Sequence, residues 1–232
     1  MNIFSLNPDL IAWHMRVAQE KHEKVEDEIA YMIKDCIQSS CTILVYAENE
    51  HWSGSGFHLG EGVVCTASHV CPPELNSKPH EINITFDGKT RYKADIVASD
   101  PNIDCALLSC PQISKNIPYV TLGDSNKAEI GDIIAVIGSP EGWHDTSTVG
   151  RTSNVHQQLG EHAPSQAWND IIFIDAKILQ GVSGGMVIGT DGLVYGLVIG
   201  VTGQHAEIGI GENSVCPSNK IISFVNSITK SR

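Results

Sequence analysis

At 232 residues with 41% hydrophobic content, the chain can hold one large domain or two packed lobes and bury a core, so disorder is not the default reading. A formal net charge of -12 and a pI near 5.2 argue against nucleic acid or an anionic membrane as partner, because such partners are held by clustered Lys and Arg and no basic stripe occurs. The opening MNIFSLNPDLIAWHMRVAQ lacks the basic start, apolar run and small-residue cleavage site of a secretory leader, and no stretch reaches the roughly 18 apolar residues of a membrane span.

Residues 1–40 read as a helical segment. In KVEDEIAYMIKDCI, Val25, Ile29, Met32, Ile33, Cys36 and Ile37 share one face at helical spacing, with charges opposite. Pro8 to Val17 reads as an earlier helical turn. Such a face packs on the body of the domain or meets another subunit or a partner protein, so these helices are the candidate surface for self-association. From Cys41 the pattern changes to short runs rich in Val, Ile and Thr, separated by Gly, Pro and Asn-Ser turns: CTILVYA, GSGFHLG, GVVCTA, INITF, ADIVAS, CALLSC, DIIAVIG, STVGRTS, IIFIDA, MVIG and LVYGLVIG. Many short strands with almost no helix between them predict an all-β barrel or sandwich fold rather than a doubly wound sheet. In PSNKIISFVNSITK, Ser218 is a plausible cap and Ile221, Ile222, Val225 and Ile228 share a face, which predicts a helix over 218–230.

Seven cysteines (Cys36, Cys41, Cys65, Cys71, Cys105, Cys110 and Cys216) form no CxxC pair. They are expected to be reduced, buried thiols in a cytoplasmic protein that needs no metal and no cofactor.

The segment ILQGVSGGMVIG raises the question of what Ser183 does. Gly181, Ser183 and Gly185 satisfy the GxSxG of a nucleophile elbow, but that design needs a helix after the serine and its acid and histidine downstream. The stretch after the serine, GGMVIGTDGLVYGLVIG, reads as two strands around a Thr-Asp-Gly turn. The other order, histidine then acid then serine with the nucleophile on a glycine-rich loop between strands, is met by His69 after Val63–Ala67, Asp104 at the edge of CALLSC, and Ser183. Asp100 competes with Asp104 but sits in an Asp-Pro turn, where a carboxylate often only caps the turn.

The pieces GSGF, TASHV, DPNIDCALL, LGDS, IGDIIAVIGSPEG, TVGRTS, IDAKILQGVSGGMVIGTDGLVYGL and VCPSNKIISFV, in this order from about Ile43 to Val225, resemble the landmarks of the HtrA-type trypsin-like serine proteases. The resemblance implies two six-stranded antiparallel β-barrels with the active site between them, barrel one at about 41–118, barrel two at about 119–217, and the closing helix completing a protease domain over 41–232. It implies a serine endopeptidase acting on protein or peptide substrates, with His69, Asp104 and Ser183 as the triad, the N–H groups of Gly181 and Ser183 as the oxyanion hole, and Lys177, Ile178, Ile199, Gly200 and Val201 around the specificity pocket. HtrA-like enzymes are often trimers, so a homo-oligomer is also in keeping with it. The alternative is an inactive scaffold of the same fold that binds extended peptides; a cysteine peptidase would need a thiol at 183.

The chain departs from the family pattern at Val182, where Asn or Asp is usual, at Met186, where Pro is usual, and at Lys177, which replaces a small or apolar residue. No PDZ module follows. Lys177 suggests cleavage after Asp or Glu, since a buried ammonium selects a carboxylate. A solvent-facing Lys177 would instead leave a pocket for small apolar side chains. Cys65 and Cys71 flank His69 as a disulfide pair does in secreted trypsins, but the odd count favours free thiols.

Overall fold

Alternation of side chains explains the first strand. Along β1 (Ser40–Ala47) Ile43 and Val45 point inward and are fully buried while Tyr46 faces solvent, the period-two pattern of a sheet with one wet face. The computed structural model describes residues 28–48, 50–113, 115, 117–158, 166–201 and 213–230, with 16, 17 and 19. After β1 come β2 (Glu50–Gly60), β3 (Val63–Thr66), β4 (His80–Thr85), β5 (Tyr92–Asp100) and β6 (Cys105–Ser109), which close into a barrel in the order β1-β2-β3-β6-β5-β4. The second barrel holds β7 (Ile133–Gly138), β8 (Thr146–Gln158), β9 (Asn169–Ile174), β10 (Met186–Gly189), β11 (Val194–Val201) and β12 (Asn213–Pro217), in the order β10-β11-β12-β9-β8-β7. Both barrels therefore have the same topology, all pairs antiparallel, and closure leaves no free sheet edge.

One cluster of buried residues runs through barrel one into part of barrel two and takes in both helices. A second, with Ile134, Val136, Ile172, Ile174 and Val198, fills the remainder of barrel two. Residues 28–36 are helical (α1), followed by a 3-10 turn over Ile37–Ser39. Ile29 and Cys36 are buried, the Cys36 thiol donates to the Gly192 carbonyl, and a Cβ on Gly192 would meet Met32, so α1 rests on the β10–β11 hairpin. Most of the Pro8–Val17 turn, and Val25, lie outside the described residues. The closing helix α2 (Ser218–Lys230) buries Ile221 and lays Phe224, Val225 and Ile228 on the core. Its start is tied down by Ser218 Oγ donating to the Gly123 carbonyl and by Asn219 Nδ2 donating to Asp124. Among the described residues no helix is long and apolar enough to cross a membrane.

All seven cysteines are buried and unpaired, Cys65 and Cys71 included. Burial pushes the Cys71 thiol up to about 12 and the Cys36 and Cys110 thiols up to about 11, so they stay protonated at neutral pH and react slowly. A thiol reagent such as Ellman's is therefore expected to label none of the seven at the rate of the denatured chain, and all seven in denaturant. Fast labelling of the native protein would contradict the burial.

Candidate active site

The histidine sits just after β3, in a tight turn where Val70 and Cys71 N–H both donate to the Ala67 carbonyl. Two ties hold this turn: Ser68 Oγ bonds Ser99 Oγ at 2.8 Å, whose hydroxyl also reaches the Cys71 carbonyl, and the Trp52 indole donates to the Val70 carbonyl at 2.8 Å. His69 Nδ1 lies 2.7 Å from Asp104 Oδ2, and the His69 backbone N–H donates to Asp104 Oδ1 at 2.9 Å. Both carboxylate oxygens thus grip one residue, which fixes ring orientation and makes Nδ1 the protonated nitrogen. Asp104 holds this position with φ of 51°, in the left-handed region that Asp tolerates better than most residues. Asp100 is placed differently: its Oδ1 accepts from the Asn102 N–H and side chain and caps the turn.

Ser183 comes from the other barrel, on the loop between β9 and β10. The Gly184 N–H donates to the Val198 carbonyl and the Val198 N–H to the Gly185 carbonyl, which stitches the loop to β11. The Ser183 carbonyl accepts from Ser55 N–H at 2.8 Å, joining the loop to β2 of barrel one. Only glycine fits at 184, where φ is +86° and a Cβ would lie 2.2 Å from the Ser55 carbonyl and 2.5 Å from Thr66 Oγ1, at the end of the strand that leads to His69. At Gly54 a Cβ would run into Val70, next to His69, and approach the Ser183 carbonyl at 3.2 Å. The serine loop and the histidine turn therefore meet backbone to backbone. Among the described residues the Ser183 hydroxyl makes no hydrogen bond, nor do the N–H groups of Gly181 and Ser183; an unliganded site commonly keeps such contacts loose.

A model of the trypsin-like peptidase domain matches residues 54–197, which includes His69, Asp104 and Ser183. The chain belongs to this family. It is 36% identical over 161 residues to a probable periplasmic serine endoprotease DegP-like of Chlamydia muridarum, covering 68% of this chain and 30% of that protein. A protein of the same description from Pseudomonas putida W619 is 34% identical over 145 residues, covering 62% of this chain and 28% of that protein. The chain thus spans less than a third of the length of these curated relatives. Among solved structures it resembles the HtrA-type protease AlgW with tripeptide (25% identity, TM-score 0.73, 86% of this chain and 63% of that one) and Deg5 (23% identity, TM-score 0.69, 85% and 92%). Together these place the peptidase domain in the HtrA-type branch.

One expectation is overturned. The cytoplasmic placement does not stand, because the relatives are named as periplasmic endoproteases. It leaned on reduced thiols, and burial alone keeps these thiols unreactive without a reducing compartment.

The departures from the family pattern take definite places in the peptidase domain. Val182 is 5% exposed and belongs to the buried cluster of Val136, Ile174 and Val198, so an apolar anchor holds the Ser183 loop on barrel two. Met186 is fully buried as the first residue of β10, opposite Ile137 and Leu197. Lys177 is exposed; its carbonyl accepts from Thr148 Oγ1, and among the described residues its ammonium has no acidic partner. The premise of a buried ammonium is therefore not met. Ile178 packs against the barrel-two cluster. Ile199 is buried, a Cβ on Gly200 would meet nothing within 4 Å among the described residues, and Val201 ends the strand. Sequence reading missed an open cleft of about 520 Å³ that Gly181 lines together with Tyr46, His51, Trp52, Ser53 and Gln180. Its signal was the polar, aromatic EHWS stretch ahead of GSGF.

Proposed function

We propose that this domain is a serine endopeptidase. The observation that carries the reading is the grip of Asp104 on His69 at 2.7 Å, directly where the Ser183 loop packs against the histidine turn. Ser183 Oγ attacks the scissile carbonyl while His69 Nε2 takes its proton, and the same nitrogen returns it to the departing amine. Asp104 keeps Nδ1 protonated and balances the imidazolium. The N–H groups of Gly181 and Ser183 receive the negative oxygen of the tetrahedral intermediate. Water then repeats the sequence on the acyl-enzyme. The substrate strand lies along the Ile199–Val201 edge, and residues beyond the cut enter the cleft beside Trp52. The relatives' names support action on protein substrates in a periplasm-like compartment.

The exposed Lys177 charge is screened by solvent, so it gives little selection for an acidic residue before the cut. Small apolar residues are expected there instead. A proteome-derived peptide mixture, followed by matched peptides with Val, Ala, Asp, Glu or Lys before the scissile bond, tests both points. Internal cuts with Val or Ala favoured are the expected result. Strict cleavage after Asp or Glu that disappears in Lys177→Ala would restore the acid-selecting pocket, and no cutting at all would remove the peptidase reading.

A further inference from the structure

Ser55, in the middle of β2, is fully buried, and every polar group it has is engaged. Its N–H donates to the Ser183 carbonyl at 2.8 Å, and its carbonyl accepts from Thr66 Oγ1 at 2.6 Å. Its hydroxyl accepts from the Ser139 N–H at 2.8 Å and donates to the Gly181 carbonyl at 2.7 Å. The hydroxyl proton has one place to go. Ser139 N–H can only donate, so the single Oγ proton is committed to Gly181. Four segments converge on this residue: the end of β7, the end of β3, and both ends of the turn that carries the nucleophile.

We infer that Ser55 is the positioning residue of the oxyanion site. The inference rests on the peptidase reading above. The two N–H groups that would bind the oxyanion belong to Gly181 and Ser183, and the carbonyls of these same two residues are the ones Ser55 holds. Gly181 adopts φ of +92° and has no Cβ, so its own sterics leave ψ loosely defined. A peptide unit is planar, so pinning the Gly181 carbonyl sets ψ at Gly181 and the entry into Val182. On the far side the Ser183 carbonyl is pinned by the same residue. The turn is thus clamped at both ends from barrel one, while Val182 anchors its middle to barrel two. The two donor N–H groups belong to the peptides just before these carbonyls, so a change of ψ at Gly181 or Ser183 would turn them relative to the clamped carbonyls and off the point where negative charge develops, and preorganised donors act only when they are already aimed.

The test compares wild type with Ser55→Ala and with Ser55→Cys, which keeps the space filled but offers only a weak donor. Ser55→Ala is expected to lower kcat by about ten- to a hundredfold, less than the ~10²–10³ of losing an oxyanion donor outright. KM stays within about twofold, because ground-state binding is untouched. Fluorophosphonate labelling should slow by a similar factor yet reach the same stoichiometry, and the midpoint of the pH profile should hold, since the His69–Asp104 pair is not altered. Ser55→Cys is expected between wild type and Ser55→Ala, and serves alone if the alanine variant does not fold. Unchanged kcat overturns the inference. So does a loss that appears only as lower labelling stoichiometry or higher KM, which would make Ser55 a merely structural residue. If wild type itself neither cleaves nor labels, the peptidase reading falls and this inference falls with it, an outcome distinct from an active wild type matched by its variants.

Discussion

Ser183→Ala is expected to lower kcat by about 10⁴-fold or more and to abolish fluorophosphonate labelling, with the fold intact. The size reflects how such a unit works: without the oxygen no acyl-enzyme forms, and His69 and Asp104 have nothing to activate. The stability half of the expectation comes from the structure. The Ser183 hydroxyl makes no hydrogen bond among the described residues, whereas the loop is held by backbone bonds to Ser55 and Val198 and by buried Val182. Removing the oxygen leaves all of these, so the thermal midpoint should move by less than about 2 °C. Turnover and labelling at the wild-type rate would sink the assignment of Ser183.

Asp104→Asn is expected to cost about 10⁴-fold in kcat with little change in fold. Asparagine accepts the left-handed φ of 51° at this position as readily as aspartate, so the backbone has no reason to move. The chemistry changes all the same. Asp104 now accepts from both His69 N–H and Nδ1. An amide keeps one acceptor for the backbone and turns its NH₂ toward the ring, which forces Nδ1 to accept and puts the ring proton on Nε2. That tautomer cannot take a proton from Ser183. A loss smaller than about tenfold would show that Asp104 does not set the tautomer.

What the sequence displayed was periodicity and order. Period-two runs announced most strands, and His69, Asp104 and Ser183 stood out in the order histidine, acid, serine because each lies in a connection next to a strand. β12 was missed because NSVCP is short, carries a proline and has no alternation, being buried on every side once it sits between β11 and β9. β2 begins earlier than GSGF suggests, since Glu50 to Ser53 are strand by pairing with β1 and not by hydrophobicity. Lys177 illustrates a different limit. Spacing locates a residue on a loop, but whether its side chain turns into a pocket or into solvent depends on neighbours far away in the chain. Ser55 was hidden for the same reason, because its hydroxyl finds Gly181 across 126 residues of sequence.

β12 also determines when the domain can work. It is the strand that pairs with both β11 and β9, so barrel two has an open seam until the chain has been made almost to Pro217. β11, which holds Gly184 and Gly185 in place, lines that seam. α1 meanwhile leaves the ribosome early and has to wait for a hairpin 156 residues later before Cys36 finds Gly192. Contacts of this span close late and slowly. The histidine and its carboxylate are complete with barrel one, long before the serine has a wall to rest on. A nascent chain therefore carries the histidine and its carboxylate alone from the closing of barrel one until β12 is made, and the serine loop gains its full support only with that final strand.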